Sequence, residues 1–248
     1  MRFQHVMASV LASAAAFWLP PASAGSFGLS PLRLDLSGQA ATASVNVRNN
    51  DSSPALVQAE AVVWSQVDGE DRLEPTTDLI VSPTVFTLPA DGSQLVRVAL
   101  RGAAEASREL SYRLILQEVP AEASPDFKGL RVALRLSVPI FVAPNSGKAE
   151  PNLEFSATRN ADGALVLRAD NKGNGHGRVL SFSLTPTNGH GPVLQDSVAS
   201  YVLPGQYRTW TIKNNESTRD DSTAQADRYR LKATTERGEV VTELAVTR

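Results

Sequence analysis

The sequence predicts an all-β protein built from two β-sandwiches in series. Short apolar or alternating runs recur at intervals of about ten residues, and clusters of Asn, Asp, Gly, Ser and Pro separate them. Runs of this length and spacing are typical of strands in sandwiches. Beyond the first 24 residues, no segment keeps a 3.6-residue apolar stripe for more than two helical turns. The sequence therefore predicts strands from there to the C-terminus.

The first series of predicted strands ends at a candidate interdomain linker. Two dense turn signals lie within the series, at residues 49–54 (NNDSSP) and 68–71 (DGED). Residues 144–147 (PNSG) follow the last strand and have the composition of a linker. The predicted strands of this series are 43–47, 55–64, 85–88, 95–100, 112–119 and 130–142.

A second series of seven predicted strands follows within about 100 residues. Seven short strands in a domain of this size are the pattern of an immunoglobulin-like sandwich. We therefore predict an N-terminal domain over residues 25–145 and a C-terminal domain over residues 146–248. The strands of the second series are 153–157, 165–169, 178–184, 200–203, 207–212, 229–234 and 239–246.

The N-terminus predicts a secretory signal peptide over residues 1–24. Arg2 supplies a positive start, residues 6–19 are apolar, and Ala22-Ser23-Ala24 has small residues at the cleavage positions. A membrane anchor would need roughly twenty apolar residues. The segment holds one Arg and no acidic residue, so cleavage leaves 23 basic against 26 acidic residues, a net charge of −3. Nothing in this balance predicts binding to nucleic acid or insertion into a membrane.

The residue inventory gives no sign of catalysis. The chain has no cysteine, which excludes thiol catalysis and cysteine metal sites. His176 and His190 each stand between glycines, and no Asp or Glu has a recognisable ligand spacing to them, so we expect turn residues. There is no Gly-x-Ser-x-Gly motif and no phosphate-binding Gly-rich loop. We therefore expect no enzyme, no metal and no cofactor. Trp64 and Trp210 lie in apolar strand patterns and are expected in the core.

Residues 130–140 (LRVALRLSVPI) form the most regular alternating segment of the chain. The even positions are branched aliphatic residues, which is typical of a half-buried strand. The opposite face, with Arg131 and Arg135, is too polar for the interior of a sandwich. Two interpretations are open at this point. The aliphatic face packs into the core of its own domain, or it is offered to another protein.

Several motifs follow one another in a fixed order. The most specific is YRLILQEVP at residues 112–120, followed by the aliphatic strand at 130–144. The others are FGLSPLRLDL (27–36), the segment 50–58 with its central Pro54, VSPTVFTL (81–88), QLVRVAL (94–100), 171–176 and 203–210. In content and order they resemble the PapD-like periplasmic pilus chaperones. The Tyr-Arg opening of residues 112–120 is more similar to the archaic, or alternate, chaperone–usher branch. The resemblance covers essentially the whole chain after residue 24 and implies two immunoglobulin-like domains in a boomerang-like arrangement.

The resemblance implies a periplasmic chaperone that binds, stabilises and caps pilus or fimbrial subunits and delivers them to an outer-membrane usher. Subunits of such systems lack the last strand of an immunoglobulin-like fold, and the open sheet edge invites aggregation. A chaperone of this family lends its own strand, which is β-strand addition. By motif position, the donor side chains here are Leu130, Val132, Leu134 and Leu136.

The family also holds the C-terminal carboxylate of the subunit with basic residues between its domains. Arg33 matches the family's Arg in the first strand, and such a contact is charge-assisted and can be bidentate. The family's second basic residue, a Lys near the end of the donor strand, is replaced by Pro139, which makes Arg113 the candidate substitute. Without the resemblance, both arginines would be read as surface residues of half-buried strands.

The resemblance also predicts an altered contact between the domains. Glu109 matches an acidic residue of the family, but Ala143 stands where the family has an Arg. The usual ionic link is therefore expected to be rewired.

Two other classes of protein remain open. A secreted pilus subunit or adhesin would also be all-β, but it would often carry a disulfide and a donor extension at its mature N-terminus. A periplasmic accessory binding domain would favour exposed aromatic residues for stacking.

Overall fold

The computed structural model describes residues 26–102, 107–120, 132–189, 191–212 and 226–247. The predicted signal peptide, Leu130 and His190 lie outside these ranges. Within them the chain forms β-strands joined by turns, which confirms the predicted all-β fold. No helix in these ranges has the length and apolar character needed to cross a membrane.

The part of the chain before residue 144 forms two sheets that pack face to face. Its strands are β1 (Phe27–Ser30), β2 (Leu34–Leu36), β3 (Thr42–Asn49), β4 (Ala55–Val67), β5 (Glu70–Pro75), β6 (Leu79–Ser82), β7 (Val85–Leu88), β8 (Ser93–Leu100), β9 (Leu110–Val119) and β10 (Arg135–Val142). One sheet has the order β1-β3-β8-β6. The other has the order β2-β10-β9-β4-β5, and β7 also pairs with β4.

The core of this first domain lies between the two sheets. Alternate residues of each strand point inward, as the period of two along a strand requires. Each buried aliphatic side chain contributes about 1.5–3 kcal/mol to folding, and burial is the main source of stability in a chain without disulfides. Fully buried members include Val45, Val47, Leu88, Val96, Val98, Leu114, Ile140 and Val142.

The second domain is also built from two groups of strands. Its strands are β11 (Leu153–Arg159), β12 (Leu165–Asn171), β13 (Gly177–Pro186), β14 (Leu194–Val202), β15 (Tyr207–Ile212), β16 (Arg228–Thr235) and β17 (Gly238–Thr247). The order is β14-β13-β16-β17-β11-β12-β15. The parallel contact between β17 and β11 is short and joins an antiparallel four-stranded group to a three-stranded one. The core between the groups includes Leu167, Leu184, Leu231 and Ala233.

A long hairpin of the first domain reaches the second domain. β4 has 13 residues and turns into β5 through Asp68 and Gly69. Both turn residues have positive φ, as a two-residue type I′ hairpin requires. A Cβ atom at Gly69 would lie 2.9 Å from Oγ1 of Thr209 in β15, so glycine also permits the close approach of the two domains there.

Candidate functional site

The candidate site lies on the outer face of the sheet that contains β10. In β9, Arg113 stands between the core residues Tyr112 and Leu114, so its side chain leaves the opposite face. Pro139 stands in the same way between two core residues of β10. The polar face that alternation predicted therefore points away from the core of the first domain.

The aliphatic row of β10 passes from the core to the solvent. Val138 and Ile140 are 1% and 0% exposed and belong to the core of the first domain. Leu136 is partly buried against that core, Leu134 is half-buried and Val132 is 60% exposed. Each interpretation of the alternating segment thus applies to one part of it, since the row starts outside the domain and ends inside its core. The assignment of donor residues stays a prediction.

The strand begins later than the sequence predicted. β10 starts at Arg135, so Val132 and Leu134 precede it. Its partner β9 ends at Val119. The last contacts between them join Glu118 N to Leu134 O at 2.8 Å and Leu134 N to Glu118 Oε2 at 3.1 Å. The predicted start of this strand at residue 130 was wrong by several residues, because the periodicity of its side chains does not show where the neighbouring strand ends.

One edge of β10 is open over residues 135–139. Backbone groups of successive residues in an antiparallel ladder point to alternate sides. Because Leu134 O accepts from β9, the backbone groups of Arg135, Ser137 and Pro139 point to the other side. Within the described ranges, that side is paired only at residues 140–142, by the parallel strand β2. Pro139 lacks an N–H, and an edge position is where a strand tolerates this.

The two predicted anchor arginines lie on either side of Pro139. Leu34 pairs with Ile140 in parallel, so the preceding residues, Arg33 and Pro139, are also neighbours. Pro139 pairs with Arg113 on the next strand. Side chains at directly opposed positions have Cβ atoms about 4.5–5.5 Å apart. The fold therefore brings together the two arginines that the sequence had placed 80 residues apart.

These residues line one side of a cleft between the two domains. Its cavity measures about 410 Å³, and residues of β13, β14, β15 and the β16–β17 turn line the other side. Four cations against two carboxylates give a positive cleft, which attracts an anionic group. The charged lining residues are Arg33, Arg113, Arg178, Arg208, Asp71 and Glu236.

Arg113 is held in the cleft by an aromatic ring rather than by a carboxylate. Its Cζ lies 3.6 Å from the ring centroid of Trp64 and 5.9 Å from that of Tyr201. Burial lowers the pKa of Arg113, and the charge of Asp71 opposes the shift. An arginine remains cationic at neutral pH even so. No ion pair joins Arg113 to a carboxylate of the described residues, which leaves its planar fork available to a ligand.

Arg33 differs because it already has two carboxylate neighbours. Its Nε donates to Asp35 Oδ2 at 3.1 Å, and its Nη1 lies 3.7 Å from Glu236 Oε2. Burial acts to lower the pKa of Arg33, but the two carboxylates outweigh it and raise the pKa above the usual value. A ligand carboxylate at Arg33 must therefore compete with groups of the protein itself.

The second domain contributes two arginines that the sequence reasoning missed. Arg178 Nη1 donates to Glu236 Oε1 at 2.9 Å, and its Cζ lies 4.9 Å from the ring centroid of Tyr201. Arg208 Nη1 lies 2.6 Å from Asp71 Oδ1, across the domain boundary. Arg178 lies two residues after the motif segment 171–176, and Arg208 lies within the motif segment 203–210. That proximity was the one available signal, since neither residue stands out by spacing.

An aromatic cluster joins the domains behind the cleft. Trp64 is 3% exposed and packs with Phe141, Leu203 and Tyr201. Trp64 is therefore buried in a hydrophobic core cluster, as expected, but this cluster lies between the domains because the second domain covers this face of β4. Trp210 does pack against the core of the second domain.

His176 follows the bend at residues 173–175 and lies at the domain interface. Its Nδ1 is 2.7 Å from Glu109 Oε1, its backbone N donates to the same oxygen at 3.0 Å, and its ring stacks on Phe141 at 3.6 Å. Glu109 thus forms a polar contact with a histidine across the domain interface. No group of three His, Cys, Asp or Glu residues in the described ranges could hold a metal ion.

Gln66 adds further polar contacts across the same interface. Its Nε2 donates to Tyr201 O at 2.8 Å, and its Oε1 accepts from Leu203 N at 3.0 Å. The Gln66 backbone N donates to Gln206 Oε1. Two of the three hydrogen bonds of this buried side chain go to the second domain, and the third goes from Nε2 to Asp71 Oδ1 of the first domain at 3.2 Å, which fixes the position of the cleft walls.

Two immunoglobulin-like sandwiches with a positive cleft between them, beside an open strand edge, define a two-domain binding protein. Residues 26–148 match the family described as pili and flagellar-assembly chaperone, PapD N-terminal domain. The chain belongs to the PapD-like family of pilus chaperones. This is a family of chaperones and not of pilus subunits or enzymes. No curated protein sequence matches the chain at a significant level.

Solved structures of pilus chaperones share the fold over nearly the whole chain. The CsuC–CsuE chaperone–tip adhesion subunit complex from archaic Csu pili of Acinetobacter baumannii contains a chain that is 21% identical, with a TM-score of 0.64 and coverage of 90% of this chain and 99% of that one. The complex of SafA pilin with the SafB chaperone from Salmonella enterica contains a chain that is 18% identical, with a TM-score of 0.60 and coverage of 89% of this chain and 98% of that one. The E. coli chaperone DraB is 18% identical, with a TM-score of 0.56 and coverage of 89% of this chain and 97% of that one. At these identities the likeness shows the two-sandwich fold.

Proposed function

We propose that this protein is a periplasmic chaperone that holds pilus subunits by β-strand addition and binds their C-terminal carboxylate in the interdomain cleft. One observation carries the proposal. An aliphatic row leaves its own core along an open strand edge, and that edge leads to a cleft lined by four arginines. The edge can bind an extended segment, while the cleft can bind the end of one.

The open edge of β10 supplies the main-chain part of the interaction. The N–H and carbonyl groups of Arg135 and Ser137 can pair with a strand of the subunit. Val132, Leu134 and Leu136 would then enter the groove left by the subunit's missing strand. Val132 is 60% exposed in the free protein, so its burial in the groove is a gain made only in the complex.

Arg113 is the principal carboxylate anchor in this proposal, and Arg33 is the second. Arg113 is positioned by Trp64 and has no carboxylate partner among the described residues, so binding does not first require an ion pair to break. Arg33 must give up part of its contact with Asp35 or Glu236. A carboxylate above Pro139 can contact both guanidinium groups, because the three residues are neighbours across the sheet.

The cellular setting belongs to the proposal as well. The predicted signal peptide over residues 1–24 supports export to the periplasm. The fold shared with a chaperone of archaic Csu pili supports the archaic branch. Membership of the family supports delivery of the subunit to an outer-membrane usher.

If a small β-sandwich protein is encoded beside this gene, co-expression with it tests the proposal. The chaperone carries a C-terminal affinity tag, and periplasmic extracts are purified under native conditions. A subunit should co-purify in equimolar amount and should be degraded or aggregated when the chaperone is absent. A neighbouring subunit that accumulates equally well without the chaperone contradicts the proposal.

A further inference from the structure

We infer that Glu236 occupies the carboxylate position at Arg33 in the free chaperone, and that a bound subunit replaces it there with its own C-terminal carboxylate. The inference rests on the proposed function, because it requires that the subunit carboxylate enters the cleft. It assigns to Glu236 the role of a positioning and specificity-setting residue of that site.

Glu236 lies between arginines of different domains. Its Oε1 is 2.9 Å from Arg178 Nη1 in the second domain, and its Oε2 is 3.7 Å from Arg33 Nη1 in the first. Its backbone N donates to Arg178 O at 3.1 Å, so the turn between β16 and β17 holds it in place. The side chain is 31% exposed and faces the cleft, where a ligand can reach it.

The two contacts of Glu236 differ in strength. A separation of 2.9 Å is a good charge-assisted hydrogen bond, whereas 3.7 Å is beyond hydrogen-bonding range and leaves mainly a Coulomb attraction. The contact with Arg33 can therefore be exchanged while the contact with Arg178 persists. The negative charge then stays fixed in the second domain as the arginine of the first domain turns to the ligand.

The other carboxylate of the cleft does not fit this role. Asp71 forms an ion pair of 2.6 Å with Arg208, which also crosses the domain boundary. A ligand would have to break that short contact before it could use Arg208. Of the two ion pairs between the domains in the described part of the cleft, the Arg33–Glu236 pair is the one suited to exchange.

The exchange has a consequence for selectivity. Glu236 repels any carboxylate in the cleft, so a ligand binds well only if its own contacts with Arg113 and Arg33 exceed that repulsion. A C-terminal carboxylate placed by strand addition on β10 meets this condition. A free carboxylate metabolite or an internal Asp or Glu of an unfolded chain lacks that placement. Glu236 thereby lowers the affinity for all carboxylates, so that only those brought in by the strand bind tightly enough to occupy the cleft.

The experiment compares two peptides copied from the C-terminal strand of the subunit captured by co-expression, one with a free carboxylate and one with a C-terminal amide. Binding is measured by calorimetry for the wild type, Glu236→Gln and Glu239→Gln. Glu239 lies in β17, is paired with Lys232 at 2.9 Å and gives the same change in net charge. Glu236→Gln should bind the free acid about fivefold more tightly, with little change for the amide. Glu239→Gln should match the wild type for both.

The same measurement in an Arg33→Ala background shows whether Glu236 acts through Arg33. The gain from Glu236→Gln should be clearly smaller there, since only the direct repulsion between Glu236 and the ligand remains, and this reduction is the coupling expected of two residues in one contact. Unchanged or weaker binding of the free acid by Glu236→Gln overturns the inference alone. A wild-type protein that binds acid and amide equally overturns the proposed carboxylate site as well.

Discussion

The guanidinium group of Arg113 lies over the indole ring of Trp64, with Cζ 3.6 Å from the ring centroid. A cation–π contact of this kind contributes about 0.5–2 kcal/mol and needs no negative charge. Trp64 is itself fixed by Phe141 and Tyr201 at the domain interface. The contact between the domains therefore also orients the arginine that we assign as the principal anchor.

Replacing Trp64 tests whether the ring orients Arg113. Trp64→Leu keeps an apolar side chain but removes the cation–π contact, so preference for a free C-terminal carboxylate over an amide should fall several-fold. Trp210→Leu removes a tryptophan that packs against the core of the second domain. Both variants should lose about 2–4 kcal/mol of stability, measured by denaturant unfolding. Only the first should change the preference between acid and amide, and an equal change in both variants would argue against the orienting role.

The two anchor arginines should differ in importance. Arg113→Ala removes the cation that has no carboxylate partner in the described ranges, so it should weaken subunit binding by about 2–4 kcal/mol, and Arg33→Ala by about 1 kcal/mol. Pull-down of co-expressed subunit, followed by calorimetry on the C-terminal peptide, measures both effects. Arg230→Ala is the control, because Arg230 is a largely exposed arginine whose ion pair within the described residues is with Glu243 at 3.3 Å. The ranking is contradicted if Arg33→Ala costs more than Arg113→Ala.

A charge in the aliphatic row should abolish subunit binding without unfolding the chaperone. Val132→Asp places a carboxylate where the side chain is 60% exposed, so stability should change by less than about 0.5 kcal/mol. In the complex the same carboxylate would be buried in an apolar groove, which costs several kcal/mol. Val241→Asp is closely matched, since Val241 is 61% exposed in β17. If both variants capture the subunit as well as wild type does, Val132 is not a donor residue.

Glu109 should contribute to stability through the domain interface. Its side chain is 6% exposed, and Oε1 accepts from the His176 backbone N and contacts the ring Nδ1. Glu109→Ala leaves a buried donor without an acceptor and should cost about 1–3 kcal/mol. Denaturant unfolding followed separately by Trp64 and Trp210 fluorescence in single-tryptophan variants measures the loss and shows whether the domains still unfold together. Glu243→Ala, at an exposed ion pair, should cost less than about 1 kcal/mol.

Much of the fold could be predicted because its signals are local. The alternation in β3, β8, β9 and β10 records which face is buried, and turn residues such as Asp68 and Gly69 mark the hairpins. The approach of Arg33 to Arg113 was predicted from the family motifs, and the strand register brings them together at Pro139.

The parts of the site that could not be predicted depend on contacts between the domains. Trp64 and His176 have ordinary local patterns, and only the position of the second domain over the outer sheet buries them. Arg178, Arg208 and Glu236 reach the cleft for the same reason. Period-two alternation shows that a residue leaves the core face of its sheet, but not what covers the other face.

The most direct test of the central claim is amide hydrogen exchange along β10, measured by NMR for the free chaperone and for the chaperone bound to a subunit. In the free protein, Leu136 and Val138 should be protected by β9, while Arg135 and Ser137 on the open edge should exchange quickly. Subunit binding should slow exchange at Arg135 and Ser137 by a factor of at least about 100 and leave their even-numbered neighbours little changed. Unaltered fast exchange at both edge amides in a stable complex would contradict strand addition at β10.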